Sequence, residues 1–104
     1  MRDFIVEPST GIAGRLRVPG DKSISHRALM LGAIASGTTR ITGFLEGEDC
    51  LATLRAVTAL GARVERPAVA EVRIEGVGLG GLRAPASVLD MGNAGTAMRL
   101  FMGL

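Results

Sequence analysis

The chain has 104 residues, of which 47% are hydrophobic and only 3% aromatic, and its formal net charge is +2. This length and composition are typical of one small globular domain whose core is built from aliphatic and methionine side chains. The single cysteine, Cys50, excludes an internal disulfide and a metal cluster of paired cysteines. Scarce aromatic residues and the lack of Lys/Arg blocks argue against nucleic acid as a partner, and no apolar run is long enough to span a membrane.

The same features bear on compartment and ligand. The N-terminal residues lack the long apolar segment of a signal peptide, and we therefore expect a cytoplasmic protein. The slight excess of positive charge suits small anionic ligands. We interpret Cys50 as a small buried apolar residue, because no obvious activating base accompanies it.

In chain order, the first predicted elements are two short strands. Residues 4–6 form an apolar run, and the alternation of apolar and polar side chains within residues 12–18 predicts the second strand. Pro19-Gly20 then breaks this strand. The apolar run that follows predicts a first helix over residues 24–36, ended by Gly37.

The middle of the chain predicts a strand, a helix and a hairpin. β-Branched residues favour a strand over 38–44. Helical spacing of apolar residues predicts a second helix over 48–60, ended by Gly61. Residues 62–66 and 71–75 alternate well and predict the two strands of a β-hairpin.

Glu48 and Asp49, at the start of the second predicted helix, are interpreted as first-turn or capping residues rather than a catalytic carboxylate pair. A glycine-rich loop at 76–82 and a short strand at 87–90 follow the hairpin. The pattern then becomes helical and is still helical at Leu104, from which we expect a fragment of a larger protein.

Residues 19–27 combine a strand break with two cations at the start of a helix. The first amides of a helix lack intrahelical partners and carry partial positive charge, so cations are disfavoured there. An anion held by these amides, by Lys22 and Arg27 and by serine hydroxyls such as that of Ser23 resolves the conflict. The alternative is that both cations are solvated surface charges and that Ser23 or Asp21 is an ordinary N-cap.

A second stretch, residues 92–99, resembles residues 20–27. Each has a glycine, a polar turn and a helix that carries an arginine seven positions after that glycine. The stretches predict a mixed α/β (α+β) fold with a repeated β-α-β-α-β-β unit, one complete and a second just begun. Coincidence between two short glycine-containing turns is the alternative.

The motifs Pro19-Gly20-Asp21-Lys22-Ser23-Ile24-Ser25-His26-Arg27 and Gly92-Asn93-Ala94-Gly95-Thr96-Ala97-Met98-Arg99 resemble the two N-terminal signatures of the 5-enolpyruvylshikimate-3-phosphate synthase family. This resemblance implies two domains, each made of three such units, with the active site in the cleft between them. It assigns residues 1–19 to strands of the second domain and residues 20–104 to the first part of the N-terminal substrate-binding domain.

The resemblance implies an enzyme that moves the enolpyruvyl group of phosphoenolpyruvate onto the 5-hydroxyl of shikimate 3-phosphate and releases phosphate. This step belongs to the shikimate pathway to chorismate and the aromatic amino acids. The resemblance also implies that the enzyme uses no metal or organic cofactor and that the full-length protein is a monomer. The 104-residue chain alone is expected to be inactive, since other catalytic groups of the family lie outside it.

Six site residues are implied by the motif match: for shikimate 3-phosphate Lys22, Ser23 and Arg27, and for phosphoenolpyruvate Lys22, Asn93, Gly95 and Thr96. Lys22 would also be catalytic, near the reacting hydroxyl. Glyphosate, which competes with phosphoenolpyruvate in this family, is the expected inhibitor, although Leu100 stands where many members have proline. We interpret His26 as a structural hydrogen-bonding residue rather than a catalytic base.

Two alternatives remain at this point. One is the related UDP-sugar enolpyruvyl transferase of cell-wall synthesis, against which the Lys-Ser-Ile-Ser-His-Arg run argues. The other is a small non-catalytic module that binds anions.

Overall fold

In the computed structural model, residues 3–104 are described, and they form a mixed α/β fold with one three-stranded antiparallel sheet. The central strand pairs with both neighbours in the order β1-β3-β2. The elements, in chain order, are α1 (Lys22–Ile34), β1 (Ser36–Thr42), α2 (Glu48–Ala59), β2 (Arg63–Ala68), β3 (Glu71–Val77) and α3 (Gly95–Phe101). The predicted fold class is confirmed, and the α-β-α-β-β order after residue 20 matches the prediction.

Helix α1 begins two residues earlier than predicted because Asp21 caps it. The Ile24 backbone N–H donates to Asp21 Oδ2 at 2.9 Å, which satisfies one of the amides that a helix leaves unpaired. The helix also ends before the predicted Gly37, since Ser36 and Gly37 already pair with β3. Ser36 and Gly37, which the glycine signal placed at the end of the helix, therefore belong to strand β1.

The β2–β3 hairpin is confirmed, with a tight turn in which Ala70 has φ +56°. The pairing is irregular between Glu65 and Ala68, where Pro67 cannot donate a backbone hydrogen bond. Val72 and Ile74 point from β3 into the core and are fully buried.

The opposite face of the sheet is charged. Arg40 of β1 pairs with Glu71 at 2.6 Å, and Arg73 of β3 pairs with Glu65 at 3.5 Å. These side chains alternate with the buried ones, as strand geometry requires. The sheet thus packs one face under the helices and leaves the other to solvent.

The core lies between the inner face of the sheet and helices α1 and α2. Leu29 and Val72 share one buried cluster, and Ala33, Val57 and Ile74 share a second. A third buried cluster brings the second motif against the two helices, through Met30, Ala56, Met91, Ala94 and Ala97. This last cluster fixes the start of α3 beside α1 and α2.

The structure has no strand at residues 4–6, 12–18 or 87–90. The strand predicted at 87–90 is wrong, and those predicted at 4–6 and 12–18, which the resemblance assigns to a second domain, stay predictions. Phe4 and Ile12 are 97% and 99% exposed, and apolar runs become strands only where another strand accepts their hydrogen bonds. The assignment of residues 1–19 to a second domain stays a prediction, and residues 1 and 2 lie outside the described part. Helix α3 ends at Phe101, short of the predicted continuation to Leu104.

Candidate functional site

The residues of the first motif lie together at the start of α1. Lys22 and Ser23 occupy the first turn and Arg27 the next, and all three are exposed. The first turn holds no acidic residue. Arg27 Nη1 donates to the Ser23 carbonyl oxygen at 3.1 Å, so the guanidinium folds back towards the helix start. Cationic side chains, a hydroxyl and unpaired amides thus share one end of the helix.

Lys22 is not a freely solvated charge. Its Nζ lies 2.5 Å from Asp49 Oδ2 in the first turn of α2, and the two side chains are 55% and 28% exposed. The hydrogen bond to Asp49 is the main reason that the pKa of Lys22 is raised. The predicted first-turn position of Asp49 is confirmed, but its pairing with Lys22 was missed.

The two other polar residues at this helix start are structural. Asp21 is the N-cap, as one of the sequence alternatives proposed. Ser25 is buried, and its Oγ accepts a hydrogen bond from the Leu45 backbone N–H at 3.1 Å. Of the motif's two serines, therefore, only Ser23 presents an exposed hydroxyl.

His26 is fully buried, and its Nδ1 lies 2.7 Å from the hydroxyl of Thr53 on α2. Burial lowers the pKa of His26, so the neutral ring is favoured. Both features agree with the predicted structural hydrogen bond.

Cys50 is 1% exposed, which agrees with its interpretation as a buried apolar residue. Burial is the main cause that raises the pKa of its thiol, and a protonated thiol is a poor nucleophile. Its Sγ lies 3.7 Å from the Lys22 carbonyl oxygen. The side chain thus helps to pack the first turn of α1 against α2.

The second motif forms a turn that leads into α3. Gly92 has φ +55°, and its backbone N–H donates to Asp90 Oδ1 at 2.9 Å. Asn93 and Thr96 are exposed, and Gly95 is half-buried at the first position of the helix. A Cβ on Gly95 would lie 3.0 Å from Arg99 Nη1, the far end of a flexible side chain.

A polar cleft of about 520 Å³ lies between the first turns of α2 and the second motif. It is lined by Glu48, Asp49, Leu51, Ala52, Arg55, Met91, Gly92 and Asn93. Asp49 therefore links Lys22 of the first motif to the cleft that Asn93 of the second motif borders. Gly95 and Thr96 are not among the lining residues, so the structure brings the predicted site together only in part.

Within residues 3–104, no group of three His, Cys, Asp or Glu side chains is arranged to hold a metal ion. Over the same residues, none of the helices has the length and apolar character that crossing a membrane requires.

A family model described as EPSP synthase (3-phosphoshikimate 1-carboxyvinyltransferase) matches residues 6–104. The chain is 61% identical over 102 residues to the 3-phosphoshikimate 1-carboxyvinyltransferase of Alkalilimnicola ehrlichii, covering 98% of this chain and 23% of the relative. It is 63% identical over 95 residues to the enzyme of the same name from Afipia carboxidovorans, and this match covers 91% of this chain and 21% of the relative.

The structure resembles that of EPSP synthase from Acinetobacter baumannii, with a TM-score of 0.79 and 62% sequence identity. This match covers 86% of the chain described here and 20% of the Acinetobacter chain. The chain thus spans between a fifth and a quarter of the length of the relatives that it matches.

Proposed function

The chain belongs to the EPSP synthase family, and we propose that the protein containing it transfers the enolpyruvyl group of phosphoenolpyruvate to the 5-hydroxyl of shikimate 3-phosphate. Phosphate is the second product. The observation that carries this proposal is the exposed cluster of Lys22, Ser23 and Arg27 at the start of α1, in a first turn without acidic residues. The two substrates are anions, and such a helix end attracts anions.

In this proposal the phosphate of shikimate 3-phosphate binds to the Ser23 hydroxyl, the Arg27 guanidinium and the first-turn amides of α1 other than that of Ile24, which donates to Asp21. Arg27 offers several N–H donors, of which one currently contacts the Ser23 carbonyl oxygen. That contact is exposed to solvent, so exchanging it for a phosphate oxygen costs little. A charged acceptor also forms the stronger hydrogen bond.

Lys22 acts between the two substrates. Its ammonium group has three donors, and Asp49 accepts from one of them. The other two remain for phosphoenolpyruvate and for the reacting 5-hydroxyl. Because Asp49 holds the ammonium group in place before substrate arrives, Lys22 can stabilise charge that shifts during addition and elimination without first reorganising.

The phosphoenolpyruvate part of the proposed site consists of Asn93, Gly95 and Thr96. The exposed Asn93 borders the polar cleft beside Asp49, which supports its role. Gly95 has no Cβ, so a small ligand can approach its backbone closely. We further propose that glyphosate competes for this position.

Assembly, cofactor use and location complete the proposal. The full-length protein acts as a cytoplasmic monomer without metal or organic cofactor. Activity that persists after dialysis against EDTA, and a single species of monomer mass in mass photometry, are the expected results.

The test uses the protein at the length that its native source makes, as established by its intact mass. Phosphate release is measured with phosphoenolpyruvate and shikimate 3-phosphate. Arg27→Gln should raise the KM for shikimate 3-phosphate by at least about tenfold, since a charged hydrogen bond contributes about 1.5–3 kcal/mol. The matched control is Arg63→Gln, which removes an exposed arginine on β2.

Three results would contradict the proposal. The wild-type protein could turn over a UDP-sugar instead of shikimate 3-phosphate, which would favour the cell-wall transferase. It could bind phosphorylated ligands without turnover, which would favour an anion-binding module. Equal effects of Arg27→Gln and Arg63→Gln would remove Arg27 from the site.

A further inference from the structure

Two pairs of side chains connect α1 to α2 in the same order along both helices. Lys22 and His26 lie four residues apart on α1, and Asp49 and Thr53 lie four residues apart on α2. Lys22 contacts Asp49 at 2.5 Å, and His26 contacts Thr53 at 2.7 Å. Residues four apart share one face of a helix, about one turn from each other. The two contacts therefore join the same faces of α1 and α2 at successive turns.

The two contacts between α1 and α2 differ in their exposure to solvent. Lys22 is 55% exposed, and an ion pair in that setting contributes little to holding two helices together. His26 and Thr53 are both fully buried, so water does not compete for their hydrogen bond. Breaking it would leave polar groups buried without partners, which is costly. The buried contact is thus the stronger constraint on how the helices align.

Thr53 has a second contact, which ties it to the backbone of its own helix. Its Oγ1 lies 3.4 Å from the Asp49 carbonyl oxygen and 2.7 Å from His26 Nδ1. The other ring nitrogen of His26, Nε2, has no partner among residues 3–104. Thr53 thus joins His26 on α1 to the backbone of Asp49.

We propose that His26 and Thr53 are positioning residues, whose buried hydrogen bond sets the alignment of α1 with α2 and thereby holds Lys22 against Asp49 in the orientation that the reaction needs. This inference rests on the proposed function. One residue along a helix corresponds to a rotation of about 100°. Even a small part of such a rotation would move Lys22 Nζ away from the Asp49 carboxylate.

The test compares two hydroxyl deletions on α2 in the full-length protein. Thr53→Val keeps the side-chain shape and removes the hydroxyl that His26 contacts. The matched control, Thr58→Val, removes a hydroxyl that donates to the Leu54 carbonyl oxygen at 2.8 Å on an exposed part of the same helix. Because a displacement of about 1 Å can cost up to about 100-fold in rate, we expect Thr53→Val to lower kcat by at least about tenfold. Thr58→Val should leave kcat unchanged.

A second readout reports on Lys22 directly. NMR titration of the Lys22 side chain should show a lower pKa in Thr53→Val than in the wild type, because contact with Asp49 raises it. Thr53→Ser and His26→Asn each keep a hydrogen-bonding group at the contact, and both should preserve the wild-type Lys22 pKa. These two variants also provide the test if Thr53→Val does not fold.

Each outcome has a definite meaning. An unchanged kcat and an unchanged Lys22 pKa in Thr53→Val would overturn the positioning role. Loss of the raised Lys22 pKa in both Thr53→Ser and His26→Asn would overturn it as well, since packing and not the hydrogen bond would then control alignment. A wild-type protein that shows no turnover would refute the proposed function alone, because the NMR comparison still tests the alignment.

Discussion

Replacing Leu29 by alanine tests whether α1 is held in place by the core beneath it. Leu29 is 0% exposed and packs in the cluster that contains Val72. The change removes three carbon groups at about 0.8 kcal/mol each and leaves a cavity, for a total of about 3–5 kcal/mol of unfolding free energy. Leu31 lies two residues further along the same helix and is 62% exposed. Leu31→Ala should therefore cost less than about 1 kcal/mol.

The assay is urea denaturation of the wild type and both variants, followed by circular dichroism. The urea concentration at the midpoint of unfolding should be much lower for Leu29→Ala than for the wild type. For Leu31→Ala it should be close to that of the wild type. Similar losses in both variants, or a loss below about 1 kcal/mol for Leu29→Ala, would refute the burial of this helix face. Such a result would also weaken the site argument, because α1 carries Lys22, Ser23 and Arg27.

Two further predictions concern pH and inhibitor binding. Burial lowers the pKa of His26 below its ordinary value of 6.5, so its contribution to stability is complete above that value and is lost as the pH falls below it. Denaturation at pH 7 and pH 5 should show that the free energy of unfolding falls between these values in the wild type and falls less in His26→Asn. An identical fall in both proteins would exclude His26 as the cause of the pH dependence. Gly95→Ala in the full-length protein should weaken glyphosate inhibition more than it raises the KM for phosphoenolpyruvate, because the added Cβ narrows the proposed site. Inhibition and substrate kinetics measure both, and equal changes would contradict the argument.

The elements that the sequence predicts correctly are those specified by neighbouring residues. Helix α2 has apolar residues at helical spacing and Gly61 after it, and both features act locally. The β2–β3 hairpin likewise depends on a short turn and on alternation within each strand. Patterns of this kind lie within a few neighbouring residues, so they can be recognised without knowing which distant residues are in contact.

The features that the sequence leaves undetermined depend on distant partners. The apolar run at residues 4–6 satisfies the composition of a strand, but no strand among residues 3–104 pairs with it. The predicted site shows the same limit. The motif identifies its cations, whereas the pairing of Lys22 with Asp49 and of His26 with Thr53 depends on the packing of α1 on α2. No periodic signal in the sequence joins residues 27 positions apart.

The irregular pairing in β2 gives the two edges of the sheet different tendencies to aggregate. Within residues 3–104, β1 and β2 are the outer strands, and each has one side without a strand neighbour. β2 combines Pro67 with a disrupted register, and both features hinder the addition of another strand. β1 pairs regularly along its whole length and contains no proline. Edge-to-edge association between copies of this chain would therefore begin at β1.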